Sequence, residues 1–145
     1  MRNIKIIIEY DGKNFAGWQT QPGKISVQGE IEKAIKEITG EECELIASGR
    51  TDAGVHALGQ RASFKGDFGI PVEKLAFVMN NMLPGDIKIK EAVEVPLNYH
   101  ARFDAKGKKY IYKIMNCADK NVFKRNFYYY FDKPLDAEKM RKAAE

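Results

Sequence analysis

The chain has 145 residues, 44% hydrophobic and 30% charged, a composition that supports one globular core. No apolar run is long enough to cross a bilayer as a helix, and Met1-Arg2-Asn3 leads into a strand pattern without a signal-peptide core; both point to a cytoplasmic protein. Cys43 and Cys117 are far apart and belong to no CxxC or Cys/His cluster, so buried reduced thiols are expected rather than a bridge or metal ligands.

Taken in order, Asn3 to Tyr10 alternates, with Ile4, Ile6, Ile8 and Tyr10 on one face, and reads as a half-buried strand. Asp11 to Lys24 is rich in Gly, Gln and Asn and reads as a loop. Its Gly12 and Gly17 sit five apart, but the GKS or GKT ending of a phosphate-binding loop is missing. Phe15 and Trp18 are read there as packing anchors. Ser26 caps a helix whose apolar positions Val27, Ile31, Ala34, Ile35 and Ile38 share one stripe, and Gly40 ends it. Leu45 to Ser48 reads as the end of a strand, and Gln60 to Lys65 as another. After a turn at Gly66 to Pro71, Pro71 opens a second helix through Leu75, Val78, Met79 and Met82, which Pro84-Gly85 terminates. Asp86 to Val95 alternates again through Ile87, Ile89, Val93 and Val95.

These first 95 residues spell β-α-β-β-α-β, the ferredoxin-like arrangement, an α+β fold with both helices on one sheet face and the other face open to a ligand. RNA-recognition domains share that topology, but no RNP1 pattern is present. Lys108 to Met115 and Asn126 to Asp132 read as extra antiparallel strands, and Asp136 caps a C-terminal helix through Met140 and Ala144. The chain stops at Glu145 without a cap or breaker, which reads as a cut. Residues 1–145 are therefore expected to be one α/β domain of a longer protein.

Between two of the strand patterns lies Ser48 to Ala57, SGRTDAGVHA, which concentrates an arginine, a carboxylate, a histidine and two glycines. If Arg50 to Asp52 is extended, residues two apart share a face, so the guanidinium lies beside the carboxylate and holds it ionised at neutral pH. Asp52 is then a nucleophile or a base. Gly49 and Gly54 would allow positive φ or close approach of a substrate. Ser, Gly, Thr and Asp are also ordinary turn formers, so spacing alone leaves a plain connecting turn open. His56 and His100 could join Asp52 around zinc, but no ligand spacing supports a metal, and each is read as satisfied by local hydrogen bonds. There is no GxSxG elbow, and Asp104 reads as a surface carboxylate rather than a second catalytic acid.

The net charge of +4 is unevenly placed. From Arg102 to Arg125, eight basic residues stand against Asp104 and Asp119, a local +6 that leaves −2 for the remainder. Interleaved with Phe103, Tyr110, Tyr112 and Phe123, this suits a polyanion with stackable bases; a solvated strand face with lysines guarding an edge is the alternative.

GRTDAGVHA resembles the signature of the tRNA pseudouridine synthase A (TruA) family. Tyr10 to Pro22, Ser26 to Ala34, Met79 to Ile87, Tyr99 to Tyr112 and Leu135 to Ala144 resemble its other motifs, in order and over essentially the whole chain. The resemblance implies isomerisation of uridine to pseudouridine at positions 38 to 40 of the tRNA anticodon arm, with Asp52 as nucleophile. Whether it attacks ribose C1′, takes the 2′ proton or acts on base C6 stays open. The reaction is redox-neutral, so no cofactor and no metal are expected. The resemblance further implies that Tyr110 packs on the target base, that Arg50 orients Asp52, and that Arg102, Lys108 and Lys109 hold the RNA backbone. For whole family members it implies a second α/β domain and a homodimer, so this piece could be inactive alone. A non-catalytic RNA-binding ferredoxin-like module is the competing reading.

Overall fold

A computed structural model describes all of residues 1–145. They form two compact units, Met1–Lys106 and Gly107–Glu145.

The first unit is built on β1 (Arg2–Tyr10), a central strand flanked by β3 (Ala57–Gly66) and β4 (Ile87–Val95), with β2 (Ile46–Ala47) beyond β3. Every pairing is antiparallel and the order is β2-β3-β1-β4, the ferredoxin-like sheet expected from the element order. Helices α1 (Val27–Thr39) and α2 (Val72–Met82) close its core. Ile4, Ile6 and Ile8 of β1 are fully buried with Val27, Ile31 and Ile35 of α1, Leu75 and Met79 of α2, and Phe64 of β3. Ser26 caps α1 by accepting from Gly29 N, and Gly40 ends it in the left-handed region at φ 77°.

Two irregularities flank β1 at one level. On β4, Ile8 opposes Ile89 but Ile7 opposes Glu91, so Lys90 is an extra residue. The alternation read from the sequence put Ile87, Ile89, Val93 and Val95 on one face; the bulge instead turns Ala92 onto the core side and Val93 and Val95 to the other face. On β3, Ile8 opposes Gln60 and Tyr10 opposes Ala57, which leaves Leu58 and Gly59 facing Glu9. Both breaks fall at the end of the sheet that carries the Ser48–His56 loop. At the opposite end, the segment after β4 folds over the helix-free face: Asn3 Nδ2 donates to Pro96 O and Tyr99 O, and Ala101 N to Ser63 Oγ.

The second unit departs from expectation. Lys108 to Met115 is a strand only at its end, in β5 (Ile114–Asn116), and Asn126 to Asp132 shrinks to β6 (Tyr129–Phe131). These two pair in parallel rather than antiparallel. The connection, residues 117–128, contains one 3-10 turn and is long enough for a parallel crossover. Alternation gives a segment two faces but supplies no ladder partner, and Tyr110 and Tyr112 remain 70% and 90% exposed. The last helix, α3 (Ala137–Ala144), forms as read, with Asp136 accepting from Glu138 N and Lys139 N.

Candidate active site

The Ser48–His56 loop leaves the sheet after β2 and returns as β3. Its first residues are tied to β3: Ser48 N donates to Arg61 O, Ser48 Oγ to Gln60 Oε1 at 3.0 Å, and Gln60 Nε2 to Gly49 O at 2.6 Å. Its middle is tied to the loop after β1. Trp18 N donates to Thr51 O at 3.0 Å, and the Tyr10 hydroxyl shares a 2.7 Å bond with Thr51 Oγ1. Both rings belong to the core, Trp18 at 2% and Tyr10 at 4% exposure, with centroids 6.1 Å apart. Burial pushes the Tyr10 phenol above its usual pKa, while the Thr51 bond pulls the other way. Phe15 and Trp18 are thus the packing anchors that their sequence context suggested.

Two glycines allow this contact between loops. A Cβ on Gly17, at φ 90°, would sit 2.7 Å from Thr51 O and 3.2 Å from the Asp52 carbonyl carbon. One on Gly12 would overlap the Val55 carbonyl oxygen. Within the loop itself, Gly54 adopts φ 80° in a turn closed by Val55 N donating to Asp52 O, whereas Gly49 has no positive φ. Gly12 N donates to His56 Nδ1 at 3.0 Å, so the 3.1 Å approach of Asp11 Oδ1 to that nitrogen is not an ion pair while the bond is made.

Asp52 therefore begins a turn instead of continuing a strand. Its side chain and that of Arg50 are both exposed, and no ion pair joins them. The strand assumed for Arg50 to Asp52 is not formed, since β2 ends at Ala47 and residues 49–52 belong to no strand, and the expected Arg50–Asp52 ion pair is absent. What results is an exposed carboxylate directly after a residue held at both its carbonyl and its hydroxyl. Such a group is open to a ligand approaching from solvent while its backbone is fixed.

The other singled-out residues lie elsewhere. Arg102 is exposed on the turn after β4, where His100 N donates to Asp104 Oδ2 at 2.8 Å and the His100 ring stacks on Phe103. His100 and Asp104 are engaged in closing that turn. Lys108, Lys109 and Tyr110 belong to the second unit, exposed and outside any strand. No three His, Cys, Asp or Glu side chains converge as a metal site, and no helix is long and apolar enough to cross a membrane. Both cysteines are free thiols, but they are not buried as expected: Cys43 is half-buried and Cys117, in the loop after β5, is exposed. The reading of composition and spacing missed Tyr10, Thr51, Gly12 and Gly17 as the loop's supports. Two glycines bracketing Phe15 in the first loop were the available signal.

A family model described as tRNA pseudouridine synthase matches residues 6–104, from β1 through the turn carrying His100. A protein named tRNA pseudouridine synthase A from Caldicellulosiruptor bescii is 52% identical over 145 residues, covering 100% of this chain. Proteins of the same name from Acetivibrio thermocellus and Clostridium acetobutylicum are 50% and 44% identical, covering 99% and 100% of it. The chain spans 59% of the length of each of these relatives.

Proposed function

The chain belongs to the tRNA pseudouridine synthase family, and from that membership we propose that it is an amino-terminal catalytic portion that converts uridine to pseudouridine in the tRNA anticodon arm, with Asp52 as nucleophile. The observation that carries the reading is the exposed Asp52 carboxylate on a loop whose preceding residue is fixed by Trp18 N and the Tyr10 hydroxyl. The isomerisation breaks the bond from ribose C1′ to base N1, turns the uracil in place and joins C5 to C1′. A carboxylate that bonds to C1′ as N1 leaves holds the sugar as an ester until C5 displaces it, and the proton on C5 then goes to a base. The leaving fragment is also the incoming one, so no water must be activated, and one carboxylate suffices where hydrolytic glycosidases use two.

A uridine stacked in an RNA arm must first leave its stack, at a cost of a few kcal/mol. Stacking on an aromatic ring returns about 1–3 kcal/mol, which is the role assigned to Tyr110. Arg50 helps hold the extruded nucleotide and completes the environment of Asp52 when substrate is bound. Arg102, Lys108 and Lys109 contact the phosphate backbone. The proposed setting is the cytoplasm, with tRNA as partner; the proposed reaction uses no cofactor or metal, and a homodimer is the proposed assembly of the longer protein.

Digesting a treated anticodon-arm transcript to nucleosides separates pseudouridine from uridine. Product from the wild-type chain, or from the chain completed with the part of the Caldicellulosiruptor bescii relative that it does not span, and none from Asp52→Ala, is the expected result. Equal product from both would remove Asp52 from the chemistry. Binding of tRNA with no product from either polypeptide would favour the non-catalytic module.

A further inference from the structure

Resting on that reading of Asp52, we propose that Tyr10 is a positioning residue for the reaction, acting through Thr51 to fix where the Asp52 carboxylate is presented. Tyr10 ends the central strand of the sheet, and its ring is held in the core against Trp18. The hydroxyl at the far side of that ring bonds to Thr51 Oγ1 at 2.7 Å, a side-chain bond that reaches 41 residues along the chain to the residue before Asp52. The Thr51 carbonyl is held independently by Trp18 N at 3.0 Å, and Gly17 brings the first loop so close that a Cβ would touch Thr51 O. Asp52 has on its other side only the turn closed by Val55 N.

A residue fixed at its carbonyl alone can still rotate about its Cα. One fixed also at its hydroxyl cannot, so the direction in which the chain enters Asp52 is set. The exposed carboxylate has no ion pair with Arg50, so what the protein fixes is the backbone from which it projects. A nucleophile must meet C1′ within a few tenths of an ångström, and a misplacement of about 1 Å costs about a hundredfold in rate.

Tyr10→Phe removes one oxygen and keeps the ring packing. In whichever form of the protein turns over, this chain or the chain completed from the Caldicellulosiruptor bescii relative, Tyr10→Phe is expected to lower kcat about ten- to a hundredfold. KM for tRNA should stay within about twofold and the unfolding midpoint close to that of wild type. Thr51→Val should lose as much, Thr51→Ser should keep most of the rate, and the double variant Tyr10→Phe/Thr51→Val should be no worse than either single change. Wild-type kcat in Tyr10→Phe, or additive losses in the double variant, overturns the positioning role. A loss confined to KM or to stability does so too. Asp52→Ala measured beside them separates the two claims: if it retains activity the reading of Asp52 fails, and if it alone loses activity only the role of Tyr10 fails.

Discussion

At the scale of single residues, the proposed chemistry rests on a carboxylate that is exposed and makes no ion pair. Asp52 has solvent on its side chain and fixed groups on its backbone, whereas Asp104 bonds to His100 N and Asp11 to Lys13 N. Two of these three carboxylates serve local turns, and the third, Asp52, is exposed to solvent. Arg50 is exposed and not ion-paired with Asp52, and its proposed role is to act when substrate is bound. Its planar fork can bridge a carboxylate and a phosphate or base in a way an ammonium cannot. Arg50→Lys is therefore expected to lower turnover at least about tenfold despite keeping the charge, measured as single-turnover pseudouridine formation. A wild-type rate would show that charge alone is needed there. The absence of an Arg50–Asp52 ion pair was not readable from their spacing, because the two-residue rule assumes a strand and β2 ends before the loop, at Ala47.

At the scale of elements, the loop is held from outside itself. Val27 N donates to Gly17 O and Gln28 N to Trp18 O, so the start of α1 carries the first loop, and the first loop carries Thr51. This chain of supports predicts that Gly17→Ala is costly, since Gly17 is buried where the two loops meet. The new methyl combines a left-handed φ with a 2.7 Å approach to Thr51 O, for about 1–3 kcal/mol of stability. Gly85→Ala, whose added carbon meets open space, should change the chemical denaturation midpoint little. Equal midpoints for the two variants would mean that the loops are not packed against each other.

Much at this level was legible in the sequence. Ser26, Gly40 and Asp136 mark helix ends by chemistry that needs no distant partner, and Ile4, Ile6 and Ile8 announce a buried face by period alone. What was not legible depends on partners. The bulge at Lys90 exists only relative to β1, the roles of Gly12 and Gly17 only relative to Thr51 and Val55, and the segment Lys108 to Met115 has the pattern of a strand but a ladder only from Ile114 onward.

At the scale of the whole molecule, the sheet unit carries the candidate nucleophile and the second unit carries most of the basic, aromatic segment. Of the eight basic residues from Arg102 to Arg125, Lys108, Lys109, Lys113, Lys120, Lys124 and Arg125 lie in Gly107–Glu145. If they hold an RNA backbone, tRNA affinity falls with salt at a log–log slope near 0.9 per duplex phosphate neutralised. Replacing Lys108 and Lys109 together by Ala should then reduce that slope by about two, read from filter binding across a salt series. An unchanged slope would assign these lysines to a solvated surface instead.

The central claim is that Asp52 performs the isomerisation, and release of tritium from C5-labelled uridine in an anticodon-arm transcript tests it most directly, since C5 loses its hydrogen only when the new carbon–carbon bond forms. Wild type and Asp52→Ala are compared in this chain and in the chain completed from the Caldicellulosiruptor bescii relative. The account predicts tritium release in at least one wild-type form and none from its Asp52→Ala counterpart. Release that persists in the variant, or is absent from both wild-type forms while tRNA is bound, would contradict it.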